Sequence, residues 1–232
     1  AAHDLIGRAI AINPSVPLYH RNMGITLEAL ELGDEALVHI TKAIELEPDN
    51  IENHLRLTHA MDNADRSANA AQSFRNAVKA GADDAETHTF LAVALTKNQE
   101  VYEAGRHFAL ALQRAPHAAF ANSNMGRFHA EHDDPAAAEP LLRRALEIDP
   151  EFSEALIEFG ALMNATFRPD EAFAPLERAR ILRPESKKAR SEFARALQLS
   201  GQSERAVEEF NALLTVDPSD HRAHNNLGLI LS

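Results

Sequence analysis

Residues Pro17–Asn50, PLYHRNMGITLEALELGDEALVHITKAIELEPDN, return in altered form every 34 residues along a chain of 232. Proline marks the period. Pro14, Pro48, Pro116, Pro150, Pro184 and Pro218 stand on one 34-residue grid, and only the grid point at Ala82, beside Gly81, lacks it. A residue that donates no backbone hydrogen bond, and that turns its predecessor away from helical geometry, marks where helices stop. With Pro17 as position 1, position 20 is Ala36, Ala70, Ala104, Ala138, Ala172 and Ala206. Position 27 is Ala43, Ala77, Ala111, Ala145 and Ala179, with Leu213 the exception, and position 24 is always large and apolar: Ile40, Phe74, Phe108, Leu142, Leu176 and Phe210. Small residues let two helix backbones approach, and the large one fills the space beside them.

A 34-residue unit with a small residue at 8, Ala at 20 and 27, an apolar residue at 24 and Pro at 32 resembles the tetratricopeptide repeat (TPR), a helix-turn-helix unit. The resemblance covers nearly the whole chain. It implies an all-α fold, an α-α superhelix in which antiparallel helix pairs stack as a solenoid. One array over 1–232 is expected, with full units 17–50, 51–84, 85–118, 119–152, 153–186 and 187–220 between half-units 1–16 and 221–232. The half-units suggest a piece of a longer protein.

Within each unit the first helix is predicted at about positions 2 to 14 and the second at about 18 to 31. Pro135 and Pro169 suit the first turn of a second helix, whereas Pro140 and Pro175 fall further in, where each removes a hydrogen bond and bends a helix that the unbroken period requires to continue. Position 4, where the family favours a large apolar residue, is His20, His54, His88, Asn122, Leu156, Arg190 and His224. The histidines there are expected to pack between helices with one ring nitrogen bonded.

With 35 acidic and 23 basic side chains, the net charge of −12 and the lack of any Lys/Arg cluster argue against nucleic acid as a partner. There is no cysteine, so disulfides, thiolate metal sites and a cysteine nucleophile are excluded together. No apolar run approaches the roughly 20 residues that cross a bilayer, so no membrane partner is expected. The compartment stays open, with the cytoplasm favoured over the periplasm.

By the same resemblance, the first helices line a concave surface through positions 2, 5, 6, 9, 12 and 13. Those columns hold seven basic residues, Arg21, Arg56, Lys97, Arg127, Lys188, Arg195 and Arg222, against eight acidic ones, Glu28, Glu52, Asp62, Glu86, Glu131, Glu154, Glu158 and Glu192. The groove is therefore nearly balanced, and the acid surplus lies elsewhere. Asn22, Asn124 and Asn226 recur at position 6, a sparse version of the asparagine ladder by which the TPR superhelix of O-linked N-acetylglucosamine transferases holds a peptide backbone; the plain alternative is a solvated polar column. Together with His59, these basic and asparagine residues are the candidate peptide-binding set. The Lys and Asn pattern of the co-chaperone carboxylate clamp is not restored at the expected columns, where Arg21, Ile25, Leu55 and His59 stand.

Twelve histidines raise the question of a metal. His129 with His132 and His221 with His224 are three residues apart, but a site needs further ligands at defined places, and no metal or other cofactor is expected. There is no nucleophile motif, phosphate loop or HExxH, and the Glu154–Glu158 spacing is that of a solvated helix face. A non-catalytic scaffold that binds an extended peptide or partner helix is the leading expectation. The alternative is the substrate-recruiting or dimerising arm of a bacterial glycosyltransferase or sulfotransferase whose catalytic domain lies outside this sequence. Pairing of uncapped ends such as Leu227–Leu231 into a homo-oligomer is a third expectation.

Overall fold

The computed structural model describes residues 2–47, 50, 53, 56–57, 64–79 and 81–231. Among these the chain forms thirteen helices: α1 (Ala2–Ile12), α2 (Pro17–Ala29), α3 (Gly33–Leu46), α4 (Ala64–Lys79), α5 (Ala85–Lys97), α6 (Val101–Arg114), α7 (Ala119–Glu131), α8 (Pro135–Ile148), α9 (Ser153–Ala165), α10 (Pro169–Leu182), α11 (Lys187–Leu199), α12 (Ser203–Val216) and α13 (His221–Leu231). No strand occurs among the described residues. The fold is all-α, of the TPR solenoid kind. His54, Thr58 and His59 lie outside the described residues, as do Glu52 and Asp62.

In the full units 17–50, 85–118, 119–152, 153–186 and 187–220 the helices run from position 1 to 13 and from position 17 to 30, about one residue ahead of the predicted spans, whereas α4 runs from position 14 to 29. The start shifts because residues at the very boundary are good helix openers. Pro17, Pro135 and Pro169 occupy the first helical turn, where the missing N–H is needed by no acceptor. At α5, α8 and α11 a side chain closes the end: Asp84 accepts from the Thr87 N–H at 2.8 Å, Asp134 from that of Ala137 at 3.0 Å, and Ser186 from that of Ala189 at 3.2 Å. The grid prolines stand two residues beyond α1, α6, α8, α10 and α12. Helices α8 and α10 continue through Pro140 and Pro175 as expected.

The turn between the two helices has one geometry in five of the units. Position 15 is left-handed at Glu31 (φ 61°), Gln99 (63°), Asp133 (58°), Phe167 (58°) and Gly201 (78°). The next N–H reaches back to the carbonyl of position 11: Leu32 to Leu27, Glu100 to Leu95, Asp134 to His129, Arg168 to Met163 and Gln202 to Leu197, all at 2.8–2.9 Å. This six-to-one bond is a helix C-cap in which glycine is normally preferred. Only Gly201 meets that preference, so glycine content does not reveal the turn.

Chain contacts divide the protein into two compact units, Ala1–Pro116 and His117–Ser232. In the first, α1 to α6 pack each on the next; in the second, α7 to α13 do the same, and the first helices α7, α9, α11 and α13 also contact one another in order. Both cores are built from the repeat columns. All six position-20 alanines are 0% exposed, and the position-24 side chains are no more than 1% exposed.

The small residue at position 8 is matched to the large one at position 24. Gly24 faces Ile40, Gly126 faces Leu142 and Gly160 faces Leu176, so closely that an added methyl would lie 2.6 Å from Ile40 Cγ1, 2.7 Å from Leu142 Cγ and 2.6 Å from Leu176 Cδ2. Where position 24 is phenylalanine, position 8 is never glycine: Ala92 stands with Phe108, Ala194 with Phe210 and Thr58 with Phe74. Branching at Cβ or Cγ brings methyl groups toward the facing helix, whereas a flat ring leaves room for one more carbon.

Candidate interaction surface

In the second unit the first helices carry the predicted groove residues to a common face. A depression of about 510 Å³ is bounded by Arg127 and Glu131 of α7, Glu158, Ala161 and Leu162 of α9, and Lys188, Glu192 and Arg195 of α11. Its floor is apolar and its rim charged. A second, wider depression of about 990 Å³ lies between α11 and α13, with Glu192, Arg195, Gln198, Arg222 and Asn226 among its walls. The five predicted residues Arg127, Lys188, Arg195, Arg222 and Asn226 therefore line two depressions that share Glu192 and Arg195.

Most of these charges are already matched to one another. Lys188 Nζ donates to both carboxylate oxygens of Glu158 at 2.7 and 2.8 Å. Arg127 donates to Asn124 Oδ1 at 3.0 Å and lies 3.9 Å from Glu131. Asn124 also donates from Nδ2 to the Phe120 carbonyl at 2.9 Å, so its amide is engaged with its own helix. The asparagine column is thus not uniform: Asn124 is turned inward on α7, whereas Asn226 faces the wider depression. Arg195 and Arg222 differ from the other basic residues here, because both are exposed and neither side chain meets a carboxylate among the described residues.

One residue that shapes the surface escapes sequence reasoning. Asn164 is 0% exposed at the end of α9, and its Nδ2 donates to the Glu192 carbonyl at 2.8 Å and to Glu192 Oε2 at 3.0 Å. It fixes where that carboxylate stands between the two depressions. A single asparagine at a column otherwise occupied by varied residues carries no signal in one sequence; the bond forms only because α9 and α11 are adjacent.

The remaining candidates lie in the first unit. Arg56 Nη1 is 3.8 Å from Glu28 Oε2, and Arg21, Asn22 and Lys97 sit on α2 and α5. His59 falls outside the described residues. His132 Nδ1 bonds the Phe128 carbonyl at 2.7 Å and His129 Nδ1 lies 3.4 Å from Asp134, and among the described residues no three ligating side chains converge on a metal position. No described helix is long and apolar enough to cross a membrane.

The position-4 histidines correct the expectation of one bonded nitrogen. His20 and His88 are buried with both ring nitrogens bonded, each to a second histidine at position 23. His224 is exposed instead, with Nε2 at 3.0 Å from the Pro218 carbonyl.

Comparison with known proteins agrees with this architecture. Residues 164–229 match the family model described as tetratricopeptide repeat. A BBSome complex member BBS4 homolog from Drosophila melanogaster is 26% identical over 210 residues, covering 84% of this chain and 43% of that protein. Among solved structures, the Cut9–Hcn1 hetero-tetramer of the APC/C superposes with a TM-score of 0.77 at 13% identity, over 98% of this chain and 45% of the other. A tetratricopeptide repeat protein from Parabacteroides merdae superposes with a TM-score of 0.71 at 14% identity, over 100% of this chain and 91% of the other. The chain spans less than half the length of the first two.

Proposed function

We propose that this chain is a non-catalytic protein-interaction scaffold whose second unit holds an extended partner segment along α7, α9, α11 and α13, with Arg195 and Arg222 receiving acidic groups of that segment. The observation that carries this reading is the pair of uncompensated guanidinium groups at one open depression, in a chain whose net charge is −12. Guanidinium forks suit carboxylates, and a surface whose other charges are internally matched directs a partner to the two that are not. The apolar floor at Ala161 and Leu162 gives such a segment a place for a small hydrophobic side chain. Asn226 offers an amide to its backbone. That two of the similar proteins are named as members of multi-protein assemblies favours a scaffold over an enzyme.

The reading is tested by capturing partners from a lysate on the wild-type chain and on an Arg195→Ala/Arg222→Ala variant, with cross-links mapped by mass spectrometry. The expected result is a partner that is retained by the wild type, is lost from the variant at unchanged helicity, and cross-links through an acidic segment to α11 and α13. Equal retention by both proteins, or cross-links confined to the second helices, overturns it.

A further inference from the structure

We propose that the first unit contains two acid-sensitive latches, the imidazole pairs His20–His39 and His88–His107, which join first to second helices at neutral pH and release them on acidification. The proposal is independent of the interaction surface above. The two pairs occupy the same repeat positions, 4 and 23, and share one geometry. Nδ1 faces Nδ1 at 3.0 Å in the first and 2.9 Å in the second. The rings stack with centroids 5.3 and 5.0 Å apart, at interplanar angles of 28° and 27°.

The outer partners settle where the protons are. His20 Nε2 is 3.0 Å from the Pro14 carbonyl and His88 Nε2 is 2.9 Å from Asp83 Oδ1, and neither oxygen has a proton to donate. Both Nε2 atoms therefore carry hydrogen, leaving Nδ1 of His20 and His88 as acceptors in the neutral ring. The donors facing them are the Nδ1–H groups of His39 and His107. One added proton on the far nitrogen of His39 or His107 leaves the bond in place and strengthens its donor. A second, on Nδ1 of His20 or His88, sets two N–H groups head to head at about 3 Å and adds two like charges. Charging both rings of a pair therefore carries a cost in the folded chain that two separate imidazoles in the unfolded chain, which titrate at about pH 6.5, do not bear.

The surrounding charges reinforce this. Burial, then His20 and His3 of α1, hold His39 below the ordinary imidazole value, with Glu35 of α3 opposing. Burial, then His88, does the same to His107; Glu103 opposes, and Arg106 of α6 and Arg75 of α4 add to the lowering. Glu103 is itself committed to Arg75, and Asp83 is held by Arg114. Because the folded state binds fewer protons than the unfolded one, its stability falls as pH drops through about 6.5. The second unit has no such pair: the corresponding positions hold Asn122 and Leu141, Leu156 and Pro175, and Arg190 and Glu209.

Amide hydrogen exchange of the whole chain at pH 7.5 and 5.5, corrected for intrinsic rates, tests the latch. The expected result is a fall of about tenfold in protection across α2, α3, α5 and α6 with α9 to α12 unchanged. In His39→Asn/His107→Asn the fall should vanish, because a side-chain amide rotates to donate to a neutral ring or to accept from a protonated one. An equal fall in both units, no fall, or a fall that persists in the variant overturns the proposal. Should the variant not fold, nitrogen-resolved imidazole spectra of the wild type at pH 8 decide it: His39 and His107 as Nδ1–H tautomers support the latch, and Nε2–H tautomers overturn it.

Discussion

The same two repeat positions hold stacked imidazoles in the first unit and, in the last full repeat of the second, Arg190 at 3.5 Å from Glu209. Positions 20, 24 and 27, by contrast, are buried alanines and large apolar side chains in both units. The difference shows what each kind of site demands. A helix crossing admits little besides shape, so the units reuse one solution. A polar contact across two helices needs only that donor and acceptor match, so an imidazole pair and a guanidinium–carboxylate pair both serve. The first changes charge between pH 5 and 8 and the second does not.

If the core columns are equivalent, the same insult should cost the same in either unit. Replacing Ala104 or Ala138 by leucine overfills a fully buried crossing and should cost about 3 kcal/mol each in a urea-denaturation series. A midpoint that moves for only one of the two breaks the equivalence.

A finer version concerns the pairing of positions 8 and 24. Gly160→Ala drives a methyl into Leu176 and should cost about 2 kcal/mol, most of it recovered by adding Leu176→Phe, which recreates the Ala92–Phe108 arrangement. Additive costs in the double variant would mean that the matched residues are not coupled.

The polar columns should separate the units along pH. Glu139 and Glu171 are held below the usual carboxylate value of 4.5 by Arg168 and then Arg143, while Arg114 and then His88 lower Asp83 in the first unit. A lowered carboxylate stabilises the folded chain above its unfolded value and loses that contribution as pH falls through the folded one. Both units should therefore weaken below about pH 4.5, and only the first between 7.5 and 5.5. Exchange measured down to pH 3.5 checks the crossover from one behaviour to the other.

The smallest effect is at the turns. Phe167 is 80% exposed with φ at 58°, so Phe167→Gly relieves a left-handed strain without removing a core contact and should add about 0.5–1 kcal/mol. At Gly201, where φ is 78°, the converse change to alanine should remove a similar amount. Equal midpoints for wild type and both variants would deny the turn any energetic role.

From sequence alone, the 34-residue proline grid, the alanine columns and the alternating helices were all legible, because each follows from local chemistry: proline ends helices wherever it stands, and spacing places residues on one helix face whatever lies opposite. The charge columns of the first helices were legible too, as positions in the repeat. Which of those charges is free was decided by tertiary structure, since it depends on the neighbour that packing supplies. Lys188 is consumed by Glu158 one repeat away, Asn124 bonds its own helix, and Arg195 and Arg222 remain uncompensated. Packing likewise converted four scattered histidines into two pairs. Residues nineteen positions apart meet only because two helices fold back on a left-handed turn that four of its five described instances form without glycine.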